Sequence, residues 1–461
     1  MRTTDNSEVL FDVLKSRHPD ESPDLDDLRL IANKKLEEIN LDDYPNLLLF
    51  PRGKNTYHDD IQSSTIFSLS ENNTLSTKNI MGFIGLNNTN LTIASRFAKD
   101  DEKDFFLHYM LHRVMKINVL ELMHPGGKSE IWNFLIFFFP YFLNRALSRG
   151  LYKEYRHNEY NDANVRGVID VKRHLRVNIP FSGKVAYSTR EYSYDNPVTQ
   201  IIRHTMEYIK TQEYNLLSGD TDAFININQI IHATSTYNIN NRQKVISINR
   251  KKPVVHPYFT EYKALQRLCI RILCNEKIST NNEKEKIHGI LFDGAWLWEE
   301  YLNTILAEKG FEHPNNRTGD GRRLLFEDSN AIFPDFILNK VPTVIADAKY
   351  KFLDMHIDTE DEENQKSYQR GNNSDYYQLI TYMYRFDSKK GYLIYPYSGE
   401  KPLNKREKII LRGLENKPGD SIVTLLGLKI PDHRGINTFS DFQKVMKESE
   451  KALSNEFNWD H

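Results

Sequence analysis

AIFPDFILNKVPTVIADAKYKF, residues 331–352, is the stretch whose reading decides the fold. It reads as two short strands joined by the turn residues Asn339-Lys340-Val341-Pro342, which interrupt an otherwise apolar run. The first strand presents Asp335 just after Pro334; the second, TVIADAKYKF, stays apolar until it delivers Asp347 and Lys349. Residues i and i+2 of a strand share a face, so Asp347 and Lys349 project together and Ala348 points away. Antiparallel pairing about the turn would bring Asp335 near Asp347. A surface hairpin with solvated charges would carry the same spacing. Against that, Asp347 ends the run Val344, Ile345, Ala346, which should be buried. Charges at the end of a buried strand are costly unless they are paired or bind a metal. Two carboxylates there suit Mg²⁺, a hard cation that keeps several waters and also takes phosphate oxygens. Such an ion offsets charge building on a phosphate and acidifies a bound water, and a lysine beside it can orient that water.

Two flanking segments fit the same chemistry. Upstream, GILFDGAWLWEEYLNTIL (289–306) reads as an amphipathic helix with Leu297, Trp298, Tyr301, Leu302 and Ile305 inward. Glu299 lies beside that apolar stripe, within reach of a metal or the lysine. Downstream, DYYQLITYMYRF (375–386) reads as a helix that places Gln378 and Tyr382 one turn apart.

The remainder of the chain bounds these readings. Its 461 residues are ample for one or more full cores, and 61 basic against 63 acidic residues exclude a uniformly cationic nucleic-acid binder. Cys269 and Cys274 cannot make a disulfide framework or a four-cysteine zinc site, and they fit a reducing cytoplasm. Leu265, Leu268, Cys269, Ile272 and Leu273 keep helical spacing, so both thiols are expected on or beside a core stripe. The apolar run IWNFLIFFFPYFL (131–143) is short for a bilayer and contains Asn133 and Pro140, so a buried helix is expected. The N-terminal MRTTDNSEVLFDVL shows no signal-peptide pattern.

Residues 1–60 carry 14 acids and 8 bases and read as a polar helical lead-in. Residues 65–97 read as strands and hairpins, and residues 104–151 as helix broken at Pro125-Gly126-Gly127. RGVIDVKRHLRV (166–177) reads as a strand running into a basic turn, and 198–235 as amphipathic helix. Pro253 and Pro257 suggest a domain boundary, giving divisions at 1–60, 61–255 and 256–461.

Glu299, Asp335, Asp347-Ala348-Lys349 and Gln378-x-x-x-Tyr382 resemble the PD-(D/E)xK nuclease superfamily in its form with a QxxxY helix. The segments LFDGAWLWEEYL, FPDFIL, IADAKYK, DYYQLITYMY and GYLIYP (391–396) are more particular: together they resemble the nuclease half of the McrC family. LTIASRF (91–97), LSRGLYKEY (147–155), RGVIDVKRHLR (166–176) and YSYDNPVTQIIRHTM (192–206) resemble its N-terminal half. The resemblance runs in order over roughly residues 80 to 400.

The resemblance implies an α+β or α/β chain with a C-terminal PD-(D/E)xK domain behind a β-rich and helical N-terminal domain. It implies an endodeoxyribonuclease subunit of a restriction system, modification-dependent or of type II as in LlaJI and BsuMI. The expected partners are double-stranded DNA, a GTP-hydrolysing McrB-like AAA+ subunit and associated cytosine methyltransferases. By motif, Asp335, Asp347 and the Ala348 carbonyl would hold Mg²⁺, Lys349 and Glu299 would be catalytic, with Glu300 the fallback first-helix acid, and Gln378 and Tyr382 would support the site. Asp347 stands where Glu is commoner, and residues 354–363 hold six acids beside the expected phosphate site. The chain has no G-x-x-x-x-G-K-[ST] loop, so nucleotide hydrolysis would come from the partner. Basic stretches at 166–190 and 242–252 could contact DNA phosphates, with Arg250, Lys251 and Lys252 favoured. The competing reading is a non-catalytic adaptor that activates the AAA+ partner. An inactive relative would tend to have lost Asp335, Asp347 or Lys349, and all three are present.

Overall fold

The hairpin expected around Asn339–Pro342 forms: Phe336–Leu338 pairs antiparallel with Val344–Ala348, Phe336 opposite Ala346. One step outward in that register, Asp335 faces Asp347. The fold is that of a computed structural model, which describes residues 1–17, 23–34, 46–51, 65–87, 89–98, 104–115, 130–212, 221–274, 287–316, 319–327, 329–351, 362–398, 405–412, 417–432, 436 and 438–457. The Pro125-Gly126-Gly127 break lies outside the described residues, as do residues 354–361 and the side chains of Glu362 and Glu363.

The chain forms two compact units, one built from Met1–Met123 and Thr280–His461, the other from His124–Ser279. In the first unit the hairpin opens a five-stranded sheet. Val344–Ala348 runs parallel to Lys390–Tyr397, which runs parallel to Lys417–Lys429, and Lys405–Arg412 closes the edge antiparallel. The central strands are apolar on both faces, as parallel strands covered on two sides must be. Ile345, Leu393 and Leu425 pack there with Leu379, Tyr382 and Met383 of the helix Glu362–Arg385.

A second five-stranded sheet in the same unit overturns the expected boundary at 255/256. His288–Asp293 lies between Asn46–Phe50 and Ile80–Leu86, parallel to the first and antiparallel to the second. Residues from both sides of that boundary therefore share one sheet. The strands approach so closely that a Cβ on Gly82, at φ +125°, would come 2.0 Å from the Ile290 carbonyl oxygen. The segment GILFD, expected to start a helix, is this strand. The helix begins at Gly294, capped by Asp293, which accepts from the Ala295 and Trp296 N–H groups at 2.9 and 3.2 Å.

The first 60 residues are likewise more than a polar helical lead-in. Arg2–Thr4 joins the second sheet, Glu8–Leu10 a small three-stranded one, and Leu14, Leu28, Ile31 and Leu47 enter their shared core. Local charge hid these few apolar anchors. The helix Phe439–Asn455 belongs to the same unit, with Glu450 accepting from the Tyr109 and Tyr301 hydroxyls at 2.9 and 2.7 Å.

In the second unit the run at 131–143 lies in the helix Glu130–Leu147, with Phe138 and Phe139 fully buried. Among the described residues no helix is long and apolar enough to cross a membrane. The helix Thr260–Cys274 packs on Glu130–Leu147 and Pro197–Gln212, so it joins this unit instead of the C-terminal half. Cys269 is buried in its stripe and its thiol is pushed up to about 12 by burial; Cys274 is half-buried. Glu154–Asp162, Val185–Ser193 and Val168–Ile169 form a three-stranded sheet. The expected basic turn after Val168–Ile169 is a helix, Val171–Val177, because Asp170 caps it by accepting from the Arg173 N–H at 3.0 Å.

His204 in this unit is buried against Tyr237, and neither ring nitrogen has a hydrogen-bond partner among the described residues. Burial, Arg242 and Arg203 lower its pKa from 6.5 to about 4. The unfolded chain therefore binds the extra proton first, and stability present above about pH 6.5 is lost as pH falls toward 4. We expect thermal melting to decline over that interval in the wild type and less steeply in His204→Phe; parallel curves would remove His204 as the cause.

Candidate active site

The site is assembled by the hairpin and three further elements of the first unit. Asp347 is buried at the end of its strand, and the Lys349 ammonium lies 2.5 Å from its Oδ2. The Lys349 main-chain N–H donates to the Ile394 carbonyl at 2.9 Å, so pairing with the neighbouring strand continues past Asp347 and fixes where the lysine departs. Its Nζ also donates to Gln378 Oε1 at 2.8 Å, and Gln378 Nε2 donates to the Tyr382 hydroxyl at 2.8 Å. Lysine, glutamine and tyrosine thus form one chain of hydrogen bonds, with the glutamine amide oriented from both ends. Burial disfavours the lysine's charge, but Asp347 and Asp335 outweigh it and hold Lys349 above the usual lysine range.

Asp335 Oδ2 accepts from the Ala348 N–H at 2.8 Å, which ties the two arms of the hairpin together. Burial raises the Asp335 pKa well above the ordinary aspartate range, and the Asp347 and Glu299 carboxylates raise it further. Glu299 projects from the helix Gly294–Leu306, whose Leu297, Trp298, Tyr301, Leu302 and Ile305 are all buried as expected. The neighbouring Glu300 accepts instead from the Trp296 indole N–H at 3.1 Å. That bond engages the fallback acid elsewhere.

The structure therefore brings Glu299, Asp335, Asp347, Lys349, Gln378 and Tyr382 into one cluster. Arg250, Lys251 and Lys252 belong to the other unit, where they lie exposed at the end of the helix Arg242–Lys251, with Lys252 paired to Glu154. Three residues around the site, Lys351, Asp375 and His313, are not marked by the motif. Asp375 is buried, 2.5 Å from Lys351 Nζ, and accepts from the Tyr395 hydroxyl at 3.4 Å. It precedes Gln378 by three residues and Tyr382 by seven, so helical spacing could have found it. His313 reaches Glu299 and Asp335 from a loop, and no local pattern signals it.

Among the described residues no three His, Cys, Asp or Glu side chains could hold a metal by themselves. The donor set nonetheless fits Mg²⁺, which needs only one or two carboxylates and fills its other positions with water and phosphate. Burial and the neighbouring carboxylates disfavour the ionised form of Asp335, and a cation among them would favour it.

Fold and site together define a mixed α/β protein with a carboxylate–lysine cluster at the end of a buried strand. The chain belongs to the family described as McrBC 5-methylcytosine restriction system component, which matches residues 75–396. That match spans nearly the stretch over which the McrC resemblance runs. No curated protein matches. A chain of the refined half-complex of Thermococcus gammatolerans McrB AAA+ hexamers with bound McrC is similar at 16% identity and TM-score 0.48, over 99% of each chain. A chain of the Thermococcus gammatolerans McrBC complex is similar at 14% identity and TM-score 0.32, over 67% of this chain and 87% of that one.

Proposed function

We propose that this chain is the DNA-cleaving subunit of its restriction system, a Mg²⁺-dependent endodeoxyribonuclease with a PD-(D/E)xK-type site. The observation that carries this reading is the buried strand end where Asp347, Asp335 and Lys349 converge, with the lysine held by Gln378. Asp335, Asp347 and the Ala348 carbonyl would hold the cation, which when bound offsets phosphate charge and acidifies a water. Lys349 would steady the attacking water and the charge gathering on the phosphate oxygens. Gln378 and Tyr382 keep its ammonium aimed, and Glu299 adds the charge that balances the cation.

The GTP-hydrolysing McrB-like AAA+ subunit is the proposed partner, because the chain lacks a phosphate-binding loop of its own. The second unit offers a surface for it: Val168, Val171, Ile179 and Phe181 are exposed within a short span. Cleavage is expected only with chain, partner, GTP and Mg²⁺ together, and chelation by EDTA should stop it. GTP hydrolysis by the purified chain, or site-specific cutting by it without the partner, would overturn this division of labour.

Arg250 and Lys251 are the proposed phosphate ligands; Lys252 is the weaker candidate because Glu154 already pairs with it. Arg250→Glu with Lys251→Glu should weaken binding of any duplex alike. The salt slope should fall in magnitude by about 0.9 for each phosphate no longer neutralised. Unchanged DNA affinity with failed AAA+ association would assign the patch to the protein interface.

A further inference from the structure

His313 is held by the hairpin it serves. Glu312 and Ile337 exchange both main-chain hydrogen bonds, at 2.8 and 2.9 Å, so the segment before His313 lies along the edge of the Phe336–Leu338 strand. The imidazole stacks on Phe336, with centroids 4.9 Å apart and planes at 28°. Its Nδ1 lies 2.8 Å from the Asp335 carbonyl oxygen. A carbonyl only accepts, so Nδ1 carries the proton. Nε2 is thereby turned toward Glu299 Oε1 at 3.7 Å, too far for a direct hydrogen bond. A separation of 3.7 Å between Nε2 and a carboxylate oxygen is one that a single water bridges.

We propose that His313 is a positioning residue of the cleavage reaction: it fixes the main chain that carries Asp335, and with Glu299 it holds one water at the rim of the carboxylate cluster. This rests on the nuclease reading above and adds to it a group outside the acid–acid–lysine pattern. The ring joins the first-helix acid to the hairpin aspartate, two groups on separate elements whose charges already act on one another. Outer partners of this kind orient the ligands of a metal site, and their loss typically costs 10–100-fold in affinity or activity.

Two substitutions separate the ring's ends. His313→Asn keeps an N–H near the Nδ1 position, able to donate to the Asp335 carbonyl, but loses Nε2. His313→Gln reaches the Nε2 position and gives up the Nδ1 donor. Both are made in the full chain, with Lys349→Ala as the reference, and three quantities are read: melting temperature, Mn²⁺ affinity by calorimetry, and cleavage with the AAA+ partner. The expected result is that His313→Asn melts near the wild type, binds Mn²⁺ about 10-fold more weakly and cuts about 10–100-fold more slowly. His313→Gln should recover part of the Mn²⁺ affinity. Wild-type Mn²⁺ affinity in His313→Asn overturns the proposal, as does a loss of activity that merely tracks a loss of folded protein. Failure of the nuclease reading looks different: the wild-type complex would not cut and Lys349→Ala would change nothing, while Mn²⁺ affinity would still report on His313.

Discussion

Lys349→Ala is expected to lower DNA cleavage by about 10²–10³-fold or more, the loss that follows removal of one group stabilising developing charge. The geometry adds a second effect. Lys349 is the cation 2.5 Å from the buried Asp347 carboxylate, and without it that carboxylate is left unpaired beside Asp335. Breaking a buried pair from one side costs about 3–5 kcal/mol in other proteins. The partly exposed lysine places this case at the low end. The metal-free variant should therefore melt below the wild type, and Mg²⁺ should raise its melting temperature more than it raises the wild type's. Asp347→Asn breaks the same ion pair from the other side and should lower cutting at least as far. Cleavage at a normal rate by Lys349→Ala in Mg²⁺ would refute the assignment of the site.

Glu450→Ala should be the most damaging change far from the cluster. Its carboxylate accepts from Tyr109 and Tyr301 and lies 3.6 Å from Arg113 Nε, joining three helices of the first unit. Burial and Glu450 together raise both tyrosines above their usual range, so the hydroxyls stay protonated and remain donors. Alanine would strand those donors in an apolar interior, at about 1–3 kcal/mol for each group left unsatisfied. A clear fall in melting temperature is expected, with Glu450→Gln much milder because its amide oxygen still accepts. Because Tyr301 lies on the helix that carries Glu299, Glu450→Ala should also slow cleavage. Equal melting of all three proteins would show that this network contributes nothing to stability.

The parts of the site legible in the sequence are those set by local rules. Alternation along TVIADAKYKF puts Asp347 and Lys349 on one face, and helical spacing puts Gln378 and Tyr382 on one side of a helix. The apolar stripe from Leu297 to Ile305 marks the buried side of its helix correctly. What stays hidden depends on partners distant in the chain. Nothing near His288–Asp293 reveals that it pairs with Asn46–Phe50, and an apolar pentapeptide before a helix reads naturally as more helix. His313 is placed by main-chain pairing between Glu312 and Ile337, which no spacing rule anticipates. The helix at Val171–Val177 is a different kind of miss. Its capping Asp170 is in plain view, but the dense charge after it reads as a turn.

The strand His288–Asp293, inserted between Asn46–Phe50 and Ile80–Leu86, also dictates an order of events on the ribosome. When residues 1–94 have emerged, their sheet still lacks the strand that joins its two halves, which follows roughly 200 residues later. At bacterial and eukaryotic synthesis speeds that delay is about 10–40 s, long against most folding steps. Residues His124–Ser279 are complete in the interval and can fold first as a unit. The early strands meanwhile expose unpaired edges of the kind that recruit other chains. A nascent chain stalled between residues 94 and 288 should therefore depend on chaperones, and release past Asp293 should end that dependence.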